Sequence, residues 1–184
     1  MKRRGFTLIE ILAVVAMVAV LATIALPRMR IEQSQVDGAA RTISSAIMAA
    51  RTDAVSRGHN VLVVFDTTAR VVRTIWDTNN NLQIDGGEKT RPALLGERVT
   101  FARGAGIPPY NGVTEDFPSL MTVDGMPALV IQRNGALDRG GTLYVTSRRG
   151  AQGIGEVDAR ALQLSRATGH ATVYIYATDG WRLQ

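Results

Sequence analysis

The sequence predicts an α+β fold in which one long N-terminal helix, apolar in its first half and amphipathic in its second, packs on a mostly antiparallel β-sheet. Three observations predict it. Residues 6–26 read FTLIEILAVVAMVAVLATIAL, 21 residues with a single charge. Small and apolar residues then recur at helical spacing as far as Arg57-Gly58. Beyond Gly58, short β-branched segments alternate with turn residues. The 184 residues suffice for one globular domain and one accessory element, and no internal repeat is present.

At 1.5 Å per residue a 21-residue helix reaches roughly 30 Å, the thickness of a bilayer core. Lys2, Arg3 and Arg4 precede the run directly, while Arg28, Arg30 and Glu32 follow it, a bias that puts the N-terminus in the cytoplasm. A cleaved secretory signal fits less well. Glu10 lies inside the apolar run, where a carboxylate is costly, and the run exceeds the usual ~7–15 residues of a signal core. Pro27 closes the uniformly apolar stretch; lacking an N–H, it is expected to kink or loosen the helix.

Val36, Ala39, Ala40, Ile43, Ala46, Ile47, Ala50, Ala54 and Val55 then mark an apolar stripe. Arg57 followed by Gly58 is the expected basic last turn and glycine cap. Strands are expected at 61–65, 71–76, 99–102, 128–132, 142–146 and 171–177. Turn signals at Asp66-Thr67-Thr68, Asn134-Gly135, Arg149-Gly150 and Asp179-Gly180 favour antiparallel pairing over βαβ units. The stretch 104–127 holds four prolines and reads as an irregular loop or a region of short strands.

Lys and Arg number 21 against 16 Asp and Glu, a net charge of +5, but three of those positive charges are Lys2, Arg3 and Arg4. Without them the chain is near neutral and has no global attraction for nucleic acid or anionic lipid. There is no cysteine, which excludes disulfides, thiolate metal sites and a cysteine nucleophile.

Lys2-Arg3-Arg4-Gly5-Phe6-Thr7-Leu8-Ile9-Glu10, followed by the apolar helix, resembles the class III leader of type IV pilins and type II secretion pseudopilins. The resemblance implies that a prepilin peptidase cuts between Gly5 and Phe6 and methylates Phe6, and that Glu10 serves assembly. It also implies a pilin-like fold divided into a leader at 1–5, a transmembrane helix at 6–26, its amphipathic continuation at 27–58 and a periplasmic β-rich domain at 59–184. The physical reading of Glu10 agrees, since an intramembrane carboxylate is tolerable beside a cation such as a neighbouring copy's terminal amine. A plainer reading has Glu10 held by the helix dipole close to the interface.

The second half, from AARTISSAIMAARTDAVSRGHN at 39–60 to Val173-Tyr174-Ile175-Tyr176 and Gly180-Trp181-Arg182, resembles the GspH/FimT-like branch of that family. The resemblance implies a minor pseudopilin of a type II secretion system, held in the bacterial inner membrane and assembled into a periplasmic pseudopilus. Its partners are then the peptidase, other pilins or pseudopilins, an inner-membrane assembly platform and membrane lipid. The alternative is a FimT-like minor pilin that binds DNA for uptake.

Two constellations carry chemistry. Asp77, Asn79, Asn81, Gln83, Asp85 and Glu88 occupy positions one, three, five, seven, nine and twelve of DTNNNLQIDGGE, the ligand spacing of an EF-hand calcium loop. Leu82 stands where that motif has glycine, and the flanks read as strands. A polar hairpin loop is therefore the first reading and calcium the second. Arg148, Arg149 and Arg182, with Arg160, Arg166 and the aromatic side chains of Tyr174, Tyr176 and Trp181, are the residues a DNA-binding surface would use. Asp158, Glu156 and Asp179 dilute that charge, and a solvated surface over a core of aromatics is the favoured reading. Neither His59 nor His170 has a catalytic or metal-binding neighbour in sequence. No P-loop, dinucleotide fingerprint, GxSxG or HExxH occurs, so no enzymatic activity is expected.

Overall fold

The computed structural model describes residues 7–113, 120–154, 158–177 and 180–184, without side chains at 22–30. Its organising element is α1 (Leu8–Arg57), followed by β1 (Asn60–Asp66), β2 (Val71–Asp77), β3 (Thr90–Leu94) and β4 (Val99–Thr100). Then come β5 (Met121–Val123), β6 (Met126–Ile131), β7 (Gly141–Ser147), the short α2 (Arg148–Ala151), β8 (Arg160–Leu164), β9 (Ala171–Ala177) and β10 (Gly180–Leu183).

The helix ends where its sequence says it should. Gly58 takes φ 72°, a left-handed conformation that costs glycine nothing, and its N–H donates to the Ala54 carbonyl. Helical backbone continues across Pro27. Within α1, Val36, Ala39, Ala40, Ile43, Ile47, Ala50 and Ala54 are buried in one core, and Ala46 packs partly against it. Val55 departs from the expected stripe and is 54% exposed. It sits one residue past Ala54, a rotation of about 100° that carries it off the buried face.

The β-structure comprises two five-stranded sheets, ordered β3-β2-β1-β6-β5 and β10-β9-β8-β7-β4, in place of the single sheet expected. All pairings are antiparallel. Both sheets pack against α1: Val61, Val63, Phe65, Val72 and Leu129 from the first, Leu143, Val145, Leu162 and Leu164 from the second. The first sheet is apolar on both faces. Leu62, Val64, Ile75 and Val130 form an outer cluster covered by Leu82, Ile84, Met121 and Met126. That double burial explains the unbroken apolar run of β1.

Strand β3 escapes prediction because Pro92 interrupts it, and proline is tolerated there because β3 is an edge strand. The three residues of β5 and four of β10 are too short to show periodicity, and in β8 Arg160 and Gln163 mask the pattern. Conversely, the strand expected at 99–102 stops after Thr100.

Arg160 is not a surface cation. It faces the core at the end of β8, 1% exposed, and its Nε donates to Asp37 Oδ1 of α1 at 2.7 Å. Arg98 adds a looser tie to Glu32 at 3.3 Å. Together they hold the N-terminal part of the packed stretch of α1 against the strands. Replacing Asp37 with Ala leaves a buried guanidinium without its carboxylate and is expected to cost about 3 kcal/mol. Urea unfolding of the detergent-solubilised chain checks this. The double replacement D37L/R160M should lose less than D37A alone, because no buried charge is then left unpaired.

Candidate functional site

The segment that carries the prepilin pattern begins outside the described residues, where Gly5 and Phe6 lie. Its described part opens at Thr7, the N-cap of α1, whose Oγ1 accepts from Glu10 N at 3.3 Å. Thr7-x-x-Glu10 is thus half of a capping box, a signal present in the sequence itself. Glu10 is exposed in the first helical turn, where the positive end of the helix dipole favours its charge.

On both sides of Glu10 the described apolar side chains are exposed. Leu8, Ile9, Leu12, Met17, Val18 and Leu21 are each more than half exposed, and they point in all directions around the helix. The stretch 8–21 is by itself shorter than the about 20 residues a bilayer requires. Among the described residues no helix is long and apolar enough to cross a membrane.

The loop 77–88 brings most of its predicted ligands into hydrogen bonds with the loop itself. Asp77 is buried, and its two oxygens accept from Asn81 N at 3.0 Å and Leu82 N at 3.0 Å. Asn79 and Asn81 each donate Nδ2 to Asp85 Oδ2 at 2.8 Å. Glu88 accepts from Thr78 N and Asp85 N. Gln83 takes part through its backbone, donating N–H to Asn81 Oδ1 at 2.8 Å. Leu82 adopts φ 60°, the conformation for which the calcium motif carries glycine. A non-glycine residue there costs about 1–2 kcal/mol; the side chain recovers it by packing on the outer apolar cluster. Among the described residues no group of three or more His, Cys, Asp or Glu side chains is placed to hold a metal ion.

The arginines proposed for DNA are not brought together. Arg148 and Arg149 lie on α2 directly after β7, whereas Arg182 is in β10, three strands away across the sheet and thus roughly 14 Å to the side. The aromatic residues are engaged with each other. Tyr110 stacks on Tyr174 with centroids 4.3 Å apart, and Trp181 meets Tyr176 at 5.2 Å and Tyr144 at 5.8 Å. Trp181 Nε1 donates to the Pro108 carbonyl at 2.9 Å, and Tyr144 OH donates to the Val113 carbonyl at 2.8 Å. The cluster clamps the 108–113 segment onto the outer face of the second sheet. Tyr110 and Tyr144 join it from distant parts of the chain, so no local pattern announces them. His59 Nδ1 contacts the Asn60 carbonyl and His170 Nδ1 the Thr172 hydroxyl, neither in a metal-binding group.

Residues 1–26 match the model of the prokaryotic N-terminal methylation motif, and residues 39–169 match that of the type II transport protein GspH. The chain belongs to the GspH family. Among curated relatives, the pilin-like protein PilA1 of Thermus thermophilus is 32% identical over 142 residues, covering 77% of this chain and 90% of that one. Two solved structures of the minor pseudopilin EpsH from the type II secretion system of Vibrio cholerae are also similar. One has a TM-score of 0.41 at 15% identity, covering 82% of this chain and 96% of that one. The other has a TM-score of 0.39 at 14% identity, covering 83% and 97%. Membership of the GspH family bears out the expected minor pseudopilin of type II secretion and does not favour the DNA-uptake alternative.

Burial pushes the Tyr110 phenol up to about 12, helped by its hydrogen bond to and charge repulsion from Tyr174. A raised phenol holds its proton more tightly in the folded state. The stability this contributes is therefore complete below about pH 10 and lost as pH climbs from about 10 to about 12. In an ultraviolet titration Tyr110→Phe should remove a late-ionising phenol.

Proposed function

We propose that this GspH-family chain is made as a prepilin, cut by a prepilin peptidase between Gly5 and Phe6, methylated on Phe6, and put to work by assembly and not by catalysis. In this reading α1 holds the chain in the bacterial inner membrane as a single pass, with the N-terminus cytoplasmic and residues 59–184 periplasmic. An assembly platform then moves it, with other pseudopilins, into a periplasmic pseudopilus for protein export.

The observation that carries the reading is the run of apolar side chains at 8–21, exposed on every side of a helix that starts directly behind the Gly5-Phe6 junction. Such a surface is satisfied by lipid, and afterwards by the helices of filament neighbours. Glu10 sets the register. A carboxylate in hydrocarbon gains most from a cation, and the free amine at Phe6 of an adjacent copy supplies one.

Intact-mass analysis of the membrane protein is expected to show a chain beginning at methylated Phe6 in cells with the peptidase and at Met1 in cells without it. Glu10→Ala should leave cleavage unchanged and abolish incorporation of the chain into pseudopili, read as loss of periplasmic cross-links to other pseudopilins. A start at Met1 in both cells, or undiminished incorporation of the Glu10 variant, would sink the proposal.

We also propose that the loop 77–88 takes calcium. Support comes from the ligand spacing, from the left-handed backbone at Leu82, and from the convergence of Asn79 and Asn81 on Asp85. Asp77, Asn79, Asn81, Asp85 and Glu88 would offer side-chain oxygens and Gln83 its carbonyl. Calcium at a hundred times its Kd is expected to stabilise the fold by about 2.7 kcal/mol. An unchanged melting temperature between excess calcium and chelator would leave the polar hairpin as the reading.

A further inference from the structure

Trp76, near the end of β2, is 2% exposed, and among the described residues its indole N–H has no acceptor. Three cations surround the ring. The Arg91 guanidinium lies 5.0 Å from the ring centroid, the Lys89 ammonium 5.4 Å and the Arg57 guanidinium 6.0 Å. The aromatic face attracts each of them. It does nothing for their mutual repulsion.

The chemistry of the cluster is one-sided. Indole, guanidinium and ammonium groups donate hydrogen bonds and accept none. Arg57 has one long contact, 3.7 Å to Asp53, while Lys89 and Arg91 form no ion pair among the described residues. Acidic neighbours exist, but they are turned away. Asp77, next to Trp76, and Glu88, next to Lys89, each give both oxygens to backbone N–H groups of the loop 77–88. Asp85 accepts two side-chain amides of the same loop. Arg57, Lys89 and Arg91 are all exposed, so an outside acceptor can reach them.

We propose that this donor-only cluster is a docking point for the carboxylates of an acidic segment on a partner protein. A guanidinium presents paired N–H groups that match a carboxylate, and the ammonium adds a third charge. Nucleic acid fits less well. The indole is buried and offers no face to a base, and three phosphate contacts give only weak binding at physiological salt. Lipid fits less well too, because Arg57 closes α1 at the end opposite the apolar run, 31 residues beyond Leu26 and roughly 47 Å along the helix. The site does not depend on leader cleavage, so it stands or falls separately from the processing of the N-terminus.

The test uses the full chain in detergent micelles, with fluorescein-labelled hexaglutamate as the probe and a six-nucleotide single-stranded oligothymidylate for comparison. Hexaglutamate is expected to raise the anisotropy at low salt. The double replacement K89A/R91A should weaken it at least tenfold, and R41A/R133A, an equal loss of exposed charge elsewhere, less than twofold. In proton–nitrogen spectra the Trp76 indole signal should move and that of Trp181 should not. The proposal is overturned by no binding at low salt, by equal weakening in both double variants, by movement of the Trp181 signal alone, or by tighter binding of the oligonucleotide.

Discussion

The rest of the structure depends on one buried stripe of α1, the face running from Val36 through Ala40, Ile43 and Ile47 to Ala54. Two sheets that, among the described residues, share no hydrogen-bonded strand form a single core because both bury their inner faces on that stripe. Its alanines matter as much as its isoleucines. Short side chains let strands approach the helix closely, while Ile43 and Ile47 each contribute about 1.5–3 kcal/mol by leaving water. The buried pair Arg160–Asp37 adds little net energy, but it fixes how the second sheet sits along the helix, since a shift would strand a charge in the core.

The same helix is divided by what covers it. Its second half is clothed by protein; the described apolar side chains at 8–21 are exposed, and the capping contact from Thr7 is the polar attachment described there. A helix that is apolar all round is stable only in lipid or among other helices. The proposed passage from membrane to filament would use this division, because it needs one surface that both environments accept.

Charge is arranged by hydrogen bonding more than by proximity in the chain. In the loop 77–88 Asp77 and Glu88 turn inward to satisfy backbone amides and Asp85 to satisfy side-chain amides, which lets the loop hold left-handed residues at Asn80 and Leu82. The cations that follow it, Lys89 and Arg91, are left facing Trp76 and solvent. A composition that looks balanced along the sequence is therefore locally positive on the folded surface.

Local chemistry was enough for the sequence to determine the long helix and its stop at Gly58, the unequal halves of that helix, the prepilin pattern around Gly5, Phe6 and Glu10, and the stronger strands. Each is decided by residues within one turn or a few positions of one another: a period, a cap, an apolar run. The sequence left β3 hidden behind Pro92 and showed Arg160 as one more basic residue near the C-terminus. Only the tertiary structure decided that the strands divide into two sheets, that Arg160 meets Asp37 across 123 residues, that Tyr110 and Tyr144 join the C-terminal aromatics, and that three cations converge on Trp76. Those outcomes depend on which distant surfaces close on each other. A residue's type constrains what it can pair with, but chain folding alone brings the partner within reach.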